Sequence, residues 1–121
     1  MNTQSVADRL VELCRESKNM DAIEELYADH VISTEAEGAP DQVTRGKEAV
    51  AKKSGDWLAS VQEFHGGGVS DPIVAGSHFS CRMEFDVTFK DRGRMQMEEV
   101  CVFRVLDGKI VSEQFFYDLP G

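Results

Sequence analysis

The chain has 121 residues, of which 41% are hydrophobic and 29% are charged, and its formal net charge is −9. This length suits one domain, residues 1–121, with a single core, and so acidic a balance argues against nucleic acids and anionic membranes as partners. No apolar run is long enough to span a membrane, and no basic segment leads into an apolar one near Met1. We therefore expect a cytoplasmic protein.

Helices are predicted first along the chain. Residues 2–17 carry an apolar stripe at helical spacing, made of Val6, Leu10, Leu13 and Cys14. Asn19 or Asp21 can cap a second short helix that carries Ile23, Leu26 and Tyr27. A short strand, residues 31–34, and a loop, residues 35–41, come next. A third helix is expected from Gly46, with Thr44 as its cap and a stripe of Val50, Trp57, Leu58 and Val61.

Strands dominate the second half of the chain. A strand near Phe64 contains Gly66, Gly67 and Gly68, a pattern typical of a bulge, sharp curvature or close backbone approach. Residues 78–90 alternate cleanly between apolar and polar side chains, which predicts a half-buried antiparallel strand. Residues 95–119 form two apolar runs joined at Asp107-Gly108, which predicts a β-hairpin with a tight turn. Helices followed by strands indicate an α+β fold, with the order α-α-β-α-β-β-β-β and the helices packed on one face of a curved antiparallel sheet.

Three short stretches resemble the nuclear transport factor 2-like superfamily, in particular its SnoaL-like branch and the ketosteroid isomerases. The stretches are residues 26–31 (LYADHV), 45–50 (RGKEAV) and 102–111 (VFRVLDGKIV). The resemblance implies a cone-shaped half-barrel whose concave sheet and helices enclose an apolar pocket for a small molecule. It also implies a homodimer that forms through the outer face of the sheet.

The resemblance to ketosteroid isomerases extends to one catalytic position. Their catalytic carboxylate lies eight residues after the Tyr of a Tyr-Ala-Asp motif, and here that position is Glu35. A carboxylate suits proton transfer at a carbon next to a carbonyl. The oxyanion donors of these enzymes do not carry over, because their positions hold Val11 and Cys101. This difference argues against a ketosteroid isomerase proper.

Strand alternation places further residues on the inner faces of the hairpin. Val111 is expected to share a face with Glu113, Phe115 and Tyr117, and Glu99 is expected on the facing strand. We predict that Glu35, Glu99 and Glu113 are catalytic acids and bases in one pocket. The predicted lining residues are Tyr27, Trp57, His65, Met83, Phe85, Cys101, Phe103, Phe115 and Tyr117.

Structural explanations compete with each functional one. Glu99 and Glu113 can instead pair with Arg or Lys at the sheet margin, and Glu35 can be a loop carboxylate in water. Trp57 and Tyr27 suit a core, and His65 suits a structural position in a strand. The three histidines show no ligand spacing with each other or with cysteine, so no metal is expected. The three cysteines are interpreted as reduced thiols of the core.

Two classes of function follow from these residues. The first is a cofactor-independent isomerase or cyclase that acts on a polyketide- or steroid-like carbonyl compound and uses Glu35 as its acid and base. The second is a non-catalytic domain that binds an apolar small molecule or a protein. A dimeric scaffold with a filled core is a third reading of the same sequence. Glu35→Gln separates them, since only the enzyme should lose turnover.

Overall fold

The structure, a computed structural model, describes residues 1–119. Helices lead and strands follow, as predicted, with two additional short strands. The elements are α1 (Thr3–Arg15), α2 (Asn19–Leu26), β1 (Tyr27–Thr34), β2 (Val43–Arg45), α3 (Lys47–Ser60), β3 (Val61–Val69), β4 (Ile73–Ala75), β5 (His78–Phe89), β6 (Gly93–Leu106) and β7 (Lys109–Phe116). The α+β class predicted from the sequence is confirmed.

One curved, open sheet organises the fold. Its strand order is β2-β1-β7-β6-β5-β3, and β4 pairs with β5 beside β3. β1 runs parallel to β7, with Ile32 opposite Ser112, while the other pairs are antiparallel. The prediction of a wholly antiparallel sheet is therefore wrong at this pair. The first strand adds to the free edge of the last, and this pairing joins two segments at opposite ends of the chain, which the pattern within β1 does not reveal.

The β6–β7 hairpin forms where the sequence predicts it. Asp107 and Gly108 both have positive φ angles, 50° and 75°, and Leu106 pairs with Lys109 across the turn. The register shifts next to the turn, between Arg104 and Val105 of β6. Because of this irregularity, the core position next to the turn is filled by Ile110, which is fully buried. Val111, which the register shift leaves without a direct partner on β6, is half-buried.

Helix boundaries differ from the predictions by a few residues. The cap of α1 is Asn2, whose side chain accepts a hydrogen bond from the Ser5 backbone amide at 2.8 Å. Gly46 precedes α3 with a φ of 92°, and Thr44 belongs to β2, so Thr44 is not the cap. Asn19 starts α2 after Lys18, and no side chain caps this helix. Tyr27 ends the helix and opens β1, which turns its side chain into the interior.

The glycines of β3 mark both a bulge and a close backbone approach. The β3–β5 register shifts between Phe64 and Gly66. A Cβ atom on Gly67 would lie 2.5 Å from the carbonyl oxygen of Glu84, whereas one on Gly66 would meet nothing within 4 Å. Only a residue without a side chain fits at Gly67. The β3 backbone therefore lies tightly against β5 at Gly67, whereas the space beside Gly66 is open.

The hydrophobic core lies between α1, α2 and the inner face of the sheet. Phe79 of β5 and Phe103 of β6 stack at its centre with their ring centroids 4.7 Å apart. Val6 and Leu10 of α1 are buried against this layer. Among residues 1–119, no helix is long and apolar enough to cross a membrane.

Candidate functional site

A cavity of about 1210 Å³ opens beside α3 on the inner face of the sheet. Eleven of the sequence-predicted residues line it: Tyr27, Glu35, Trp57, His65, Met83, Phe85, Glu99, Phe103, Glu113, Phe115 and Tyr117. Cys101 is not among the lining residues, because its side chain is fully buried beneath the cavity floor. The structure therefore brings the three glutamates to one cavity and places Cys101 behind it.

Glu113 is the most deeply buried of the three glutamates, with 4% of its surface exposed. The Tyr27 hydroxyl donates to one carboxylate oxygen, and Ser33 Oγ donates to the other at 2.6 Å. Burial raises the pKa of Glu113, while these two donors act against that rise. Both oxygens of Glu113 are engaged inside the protein, so this carboxylate is held rigidly.

Lys53 of α3 connects Glu113 to Glu35. Its Nζ lies 2.7 Å from Ser33 Oγ and 3.3 Å from Glu35 Oε1. The ammonium also lies 5.7 Å from the ring centroid of Phe115. Ser33 accepts a hydrogen bond from Lys53 and donates one to Glu113. This chain polarises the Ser33 hydroxyl and stabilises the charged form of the buried carboxylate.

Tyr117 completes the connected set at the cavity surface. Its hydroxyl donates to Glu35 Oε2 at 3.3 Å. Burial, together with the charge of Glu35, raises the pKa of Tyr117 to about 12. Tyr117 therefore remains a neutral hydroxyl at physiological pH and keeps its proton for donation.

Glu99 of β6 differs from the other two glutamates because, among residues 1–119, no cation pairs with it and no hydroxyl donates to it, whereas Glu35 pairs with Lys53 and Glu113 accepts from two hydroxyls. Within residues 1–119, Glu99 accepts one side-chain hydrogen bond, which the Cys101 thiol donates to Glu99 Oε1 at 3.5 Å. Burial raises the pKa of Glu99 to about 7, and the charges of Glu35 and Glu113 add to the rise. A carboxyl group with this pKa is present in both protonation states at neutral pH, which suits general acid and base chemistry.

Aromatic rings form one wall of the cavity. Trp57 of α3 lies 5.4 Å from Phe85, 5.9 Å from Phe89 and 6.2 Å from Phe64, measured between ring centroids. Phe64 is 55% exposed and lies towards the solvent. Trp57 therefore packs against the sheet without filling the cavity, and a ligand that enters meets apolar rings on one side and carboxylates on the other.

His65 lines the cavity rim but has no contact with the three glutamates. Its Nε2 lies 2.6 Å from Thr88 Oγ1, and its Nδ1 lies 3.2 Å from Glu63 Oε2. Both ring nitrogens are thus engaged by side chains of β3 and β5. This arrangement agrees with the structural explanation of His65 more closely than with a proton carrier.

Sequence reasoning missed two members of the cluster, Lys53 and Ser33. Lys53 follows Val50 by three residues and precedes Trp57 by four, so it interrupts the apolar stripe of α3. Ser33 lies two residues after Val31 and two before Glu35, so the three share the inward side of β1 and of the residue that follows it. A lysine within an apolar stripe and a serine on an inward strand face are the signals that could have identified them.

The described residues contain no obvious metal centre. Within residues 1–119, no three His, Cys, Asp or Glu side chains are grouped as a metal site. The three cysteines are free, with Cys81 and Cys101 buried and Cys14 half-buried. The carboxyl, hydroxyl and ammonium groups that line the cavity can transfer protons and form hydrogen bonds.

Comparison with known proteins defines the family. The SnoaL-like domain matches residues 1–117. The crystal structure of a candidate SnoaL-like polyketide cyclase from Mesorhizobium loti is 41% identical, with a TM-score of 0.91, over 97% of this chain and 100% of that one. No curated protein sequence matches the chain. The chain belongs to the SnoaL-like family.

More distant structures share the fold. A cystatin-like protein of unknown function from Xanthomonas campestris has a TM-score of 0.77 at 18% identity, over 98% of this chain and 92% of that one. A Catenulispora acidiphila protein with a ketosteroid isomerase-like fold, solved with trimethylamine, has a TM-score of 0.74 at 18% identity, over 98% and 88% of the two chains. At this identity the likeness extends to the fold alone, which is the one the sequence resemblance implied.

Proposed function

We propose that the protein is a cofactor-independent enzyme that transfers a proton on an apolar, carbonyl-bearing small molecule of polyketide or steroid type. The observation that carries the proposal is Glu99, a carboxyl group without a cationic partner among the described residues, whose pKa of about 7 suits an acid and base. Membership of a family whose Mesorhizobium loti relative is named as a candidate polyketide cyclase supports the substrate class.

In this mechanism Glu99 removes a proton from the carbon next to the substrate carbonyl. The electron pair of the broken C–H bond forms an enolate, whose oxygen carries the new negative charge. Lys53 lines the same cavity, and its ammonium, which has three N–H donors, supplies one of them to that oxygen. Tyr117 adds its neutral hydroxyl by turning its one proton from Glu35 to the enolate oxygen. They take the role that Val11 and Cys101 cannot fill at the positions used in ketosteroid isomerases.

The protonated Glu99 then completes either of two reactions. In an isomerisation it returns the proton to a different carbon of the enolate. In a cyclisation the enolate carbon attacks a second carbonyl of the same molecule, and Glu99 gives its proton to the resulting alkoxide. Both reactions restore Glu99 to its carboxylate form and consume no other reactant.

Glu35 and Glu113 have supporting roles in the proposal. Glu35, the first choice from sequence, pairs with Lys53 and accepts from Tyr117, so it is better placed to hold these donors than to take a proton itself. Glu113 is engaged at both oxygens and balances the charge of Lys53 through Ser33. Glu99 lacks such partners among residues 1–119, which favours it as the proton-transfer group.

Solvent deuterium exchange tests the proposal even while the product is unidentified. Ketones of fused-ring polyketide and steroid type are incubated with the protein in D₂O, and deuterium at the carbon next to the carbonyl is followed by NMR. We expect exchange above the buffer rate, its loss in Glu99→Gln, and retention in Glu24→Gln, which changes an exposed carboxylate of α2 that does not line the cavity. Ligands that bind without exchange, or a Glu99→Gln variant as active as wild type, contradict the proposal.

We also propose that two copies of the chain pair through the outer face of the sheet. Val100 and Phe116 lie opposite each other across β6 and β7 and are 47% and 49% exposed. Apolar residues next to polar ones such as Gln114 suit an interface between protein chains. Light scattering should give twice the chain mass, and Val100→Glu should lower it to one chain mass. A wild-type protein that stays monomeric at all accessible concentrations contradicts this interface.

A further inference from the structure

Two thiols lie directly behind Glu99. Cys101 follows it by two residues on the inward face of β6 and is fully buried. Cys81 of β5 is the direct partner of Cys101 in the sheet register and is 4% exposed. The proposed acid and base, Glu99, is thus next to two buried thiols, Cys101 and Cys81. The proposed mechanism gives these thiols no role.

The thiol of Cys101 makes a directed contact with Glu99. Its Sγ lies 3.5 Å from Glu99 Oε1 and acts as the donor. Within residues 1–119, no other side chain donates a hydrogen bond to this carboxylate. The interaction of its thiol with the Cys81 thiol, and then burial, raise the pKa of Cys101, so it keeps its proton throughout the working range of pH. The S–H group is a permanent donor at this position.

Several other charged groups act on Glu99 from the elements packed around it. Lys53 of α3 attracts its charged form, and the negative charges of Glu35 and Glu113 oppose it. Tyr117 is a neutral neighbour whose own pKa is raised in part by Glu99. None of these groups touches the Glu99 oxygens as the Cys101 thiol does, so none fixes their direction.

We propose that Cys101 is a positioning residue for the reaction, whose thiol orients the Glu99 carboxylate towards the cavity by donating a hydrogen bond to its charged form. This role rests on the proposed function of Glu99 and refines it. A donor to the charged form opposes the effect of burial. Cys101 therefore keeps a carboxylate that stands in an apolar cavity ionisable near neutral pH, without a cation that would quench its basicity.

The test is a titration of Glu99 in the substrate-free protein. The carboxyl ¹³C signals of labelled glutamate are followed by NMR from pH 4 to 9 in the full chain, and the Glu99 signal is assigned by its absence in Glu99→Gln. Cys101→Val keeps the bulk of the side chain but removes the donor, and Cys101→Ser keeps a donor. Cys81→Val is the comparison variant, because it removes the other thiol that engages Cys101 and leaves the Cys101 donor to Glu99 in place.

We expect Cys101→Val to raise the midpoint by about half a pH unit or more, the size that the loss of one weak hydrogen bond to the carboxylate produces. Cys101→Ser should return it to the wild-type value or below, and Cys81→Val should leave it close to wild type. If Cys101→Val does not fold, Cys101→Ala makes the same deletion.

The inference is overturned if the donor-free variant titrates like wild type, if the serine variant follows the valine one, or if Cys81→Val shifts the midpoint equally. Failure of the proposed function is separate, because it appears as an absence of deuterium exchange while the titration still responds to Cys101.

Discussion

Glu99 should cost the protein stability above neutral pH. Its pKa in the folded protein is about 7, against an ordinary value of 4.5, because burial penalises the charged form. A raised pKa means that the stability contributed by this group is complete below pH 4.5 and is lost as the pH rises through 7. The difference of about 2.5 units corresponds to about 3 kcal/mol at pH 8, at about 1.4 kcal/mol for each unit.

Replacing the carboxyl group by an amide removes this penalty. Glu99→Gln should therefore unfold at a higher urea concentration than wild type at pH 8, with a gain in the free energy of unfolding approaching about 3 kcal/mol. In a domain of this size such a gain raises the melting temperature by roughly 10 °C. At pH 4, where the wild-type carboxyl is protonated, the two proteins should have nearly equal stability.

The assay is urea or thermal unfolding of both proteins between pH 4 and 9 at one fixed protein concentration. Glu98→Gln serves as the control, since Glu98 is exposed and pairs with Arg82. Its stability difference from wild type should show no rise centred near pH 7. A Glu99→Gln effect that is constant with pH, or that destabilises at pH 8, refutes the assignment of Glu99 as a strained, buried acid.

Two further predictions concern the frame of the cavity. Gly67→Ala should destabilise the protein by about 1–3 kcal/mol, because its Cβ would lie 2.5 Å from the Glu84 carbonyl oxygen, whereas Gly66→Ala should stay within about 0.5 kcal/mol of wild type. Equal melting temperatures for the two variants would contradict the close approach of β3 to β5. Tyr27→Phe should cost about 1–3 kcal/mol in urea unfolding, since it leaves one oxygen of the buried Glu113 without its donor. Because that carboxylate then ionises less readily, the loss should grow from pH 5 to pH 8, and a loss that is flat with pH would contradict the interaction.

Local patterns were enough to predict much of the frame. The Asp107-Gly108 turn combines two residues that tolerate positive φ with strand formers on both sides, so the hairpin is determined within a dozen residues. The alternation of β5 is equally local, and Phe79 and Phe103 meet in the core because each faces inward on its own strand. Such features depend on residues that are close together in the sequence, so they can be predicted from one sequence alone.

The chemistry of the cavity was less accessible from sequence. Glu35, Glu99 and Glu113 were predicted as a group, but their different environments depend on Lys53 and Ser33, which come from α3 and β1. Which carboxylate receives the cation is decided by the packing of a helix over the sheet, and no spacing rule in the sequence encodes it. The parallel pairing of β1 with β7 could not be predicted either, because it joins two strands that are far apart in the sequence.

This parallel pairing has a consequence for the order of folding. β1 joins the rest of the sheet through β7, and Tyr27 meets Glu113, which lies 86 positions further along the chain. During synthesis, β1 must therefore wait, without its main sheet neighbour, until every other strand has been made. Contacts between such distant segments slow folding, so assembly of the buried Tyr27–Glu113–Ser33 cluster should coincide with the final closure of the sheet. Newly made chains would then acquire their reactive cavity only in the last step of folding, after the antiparallel β5–β6 layer has formed.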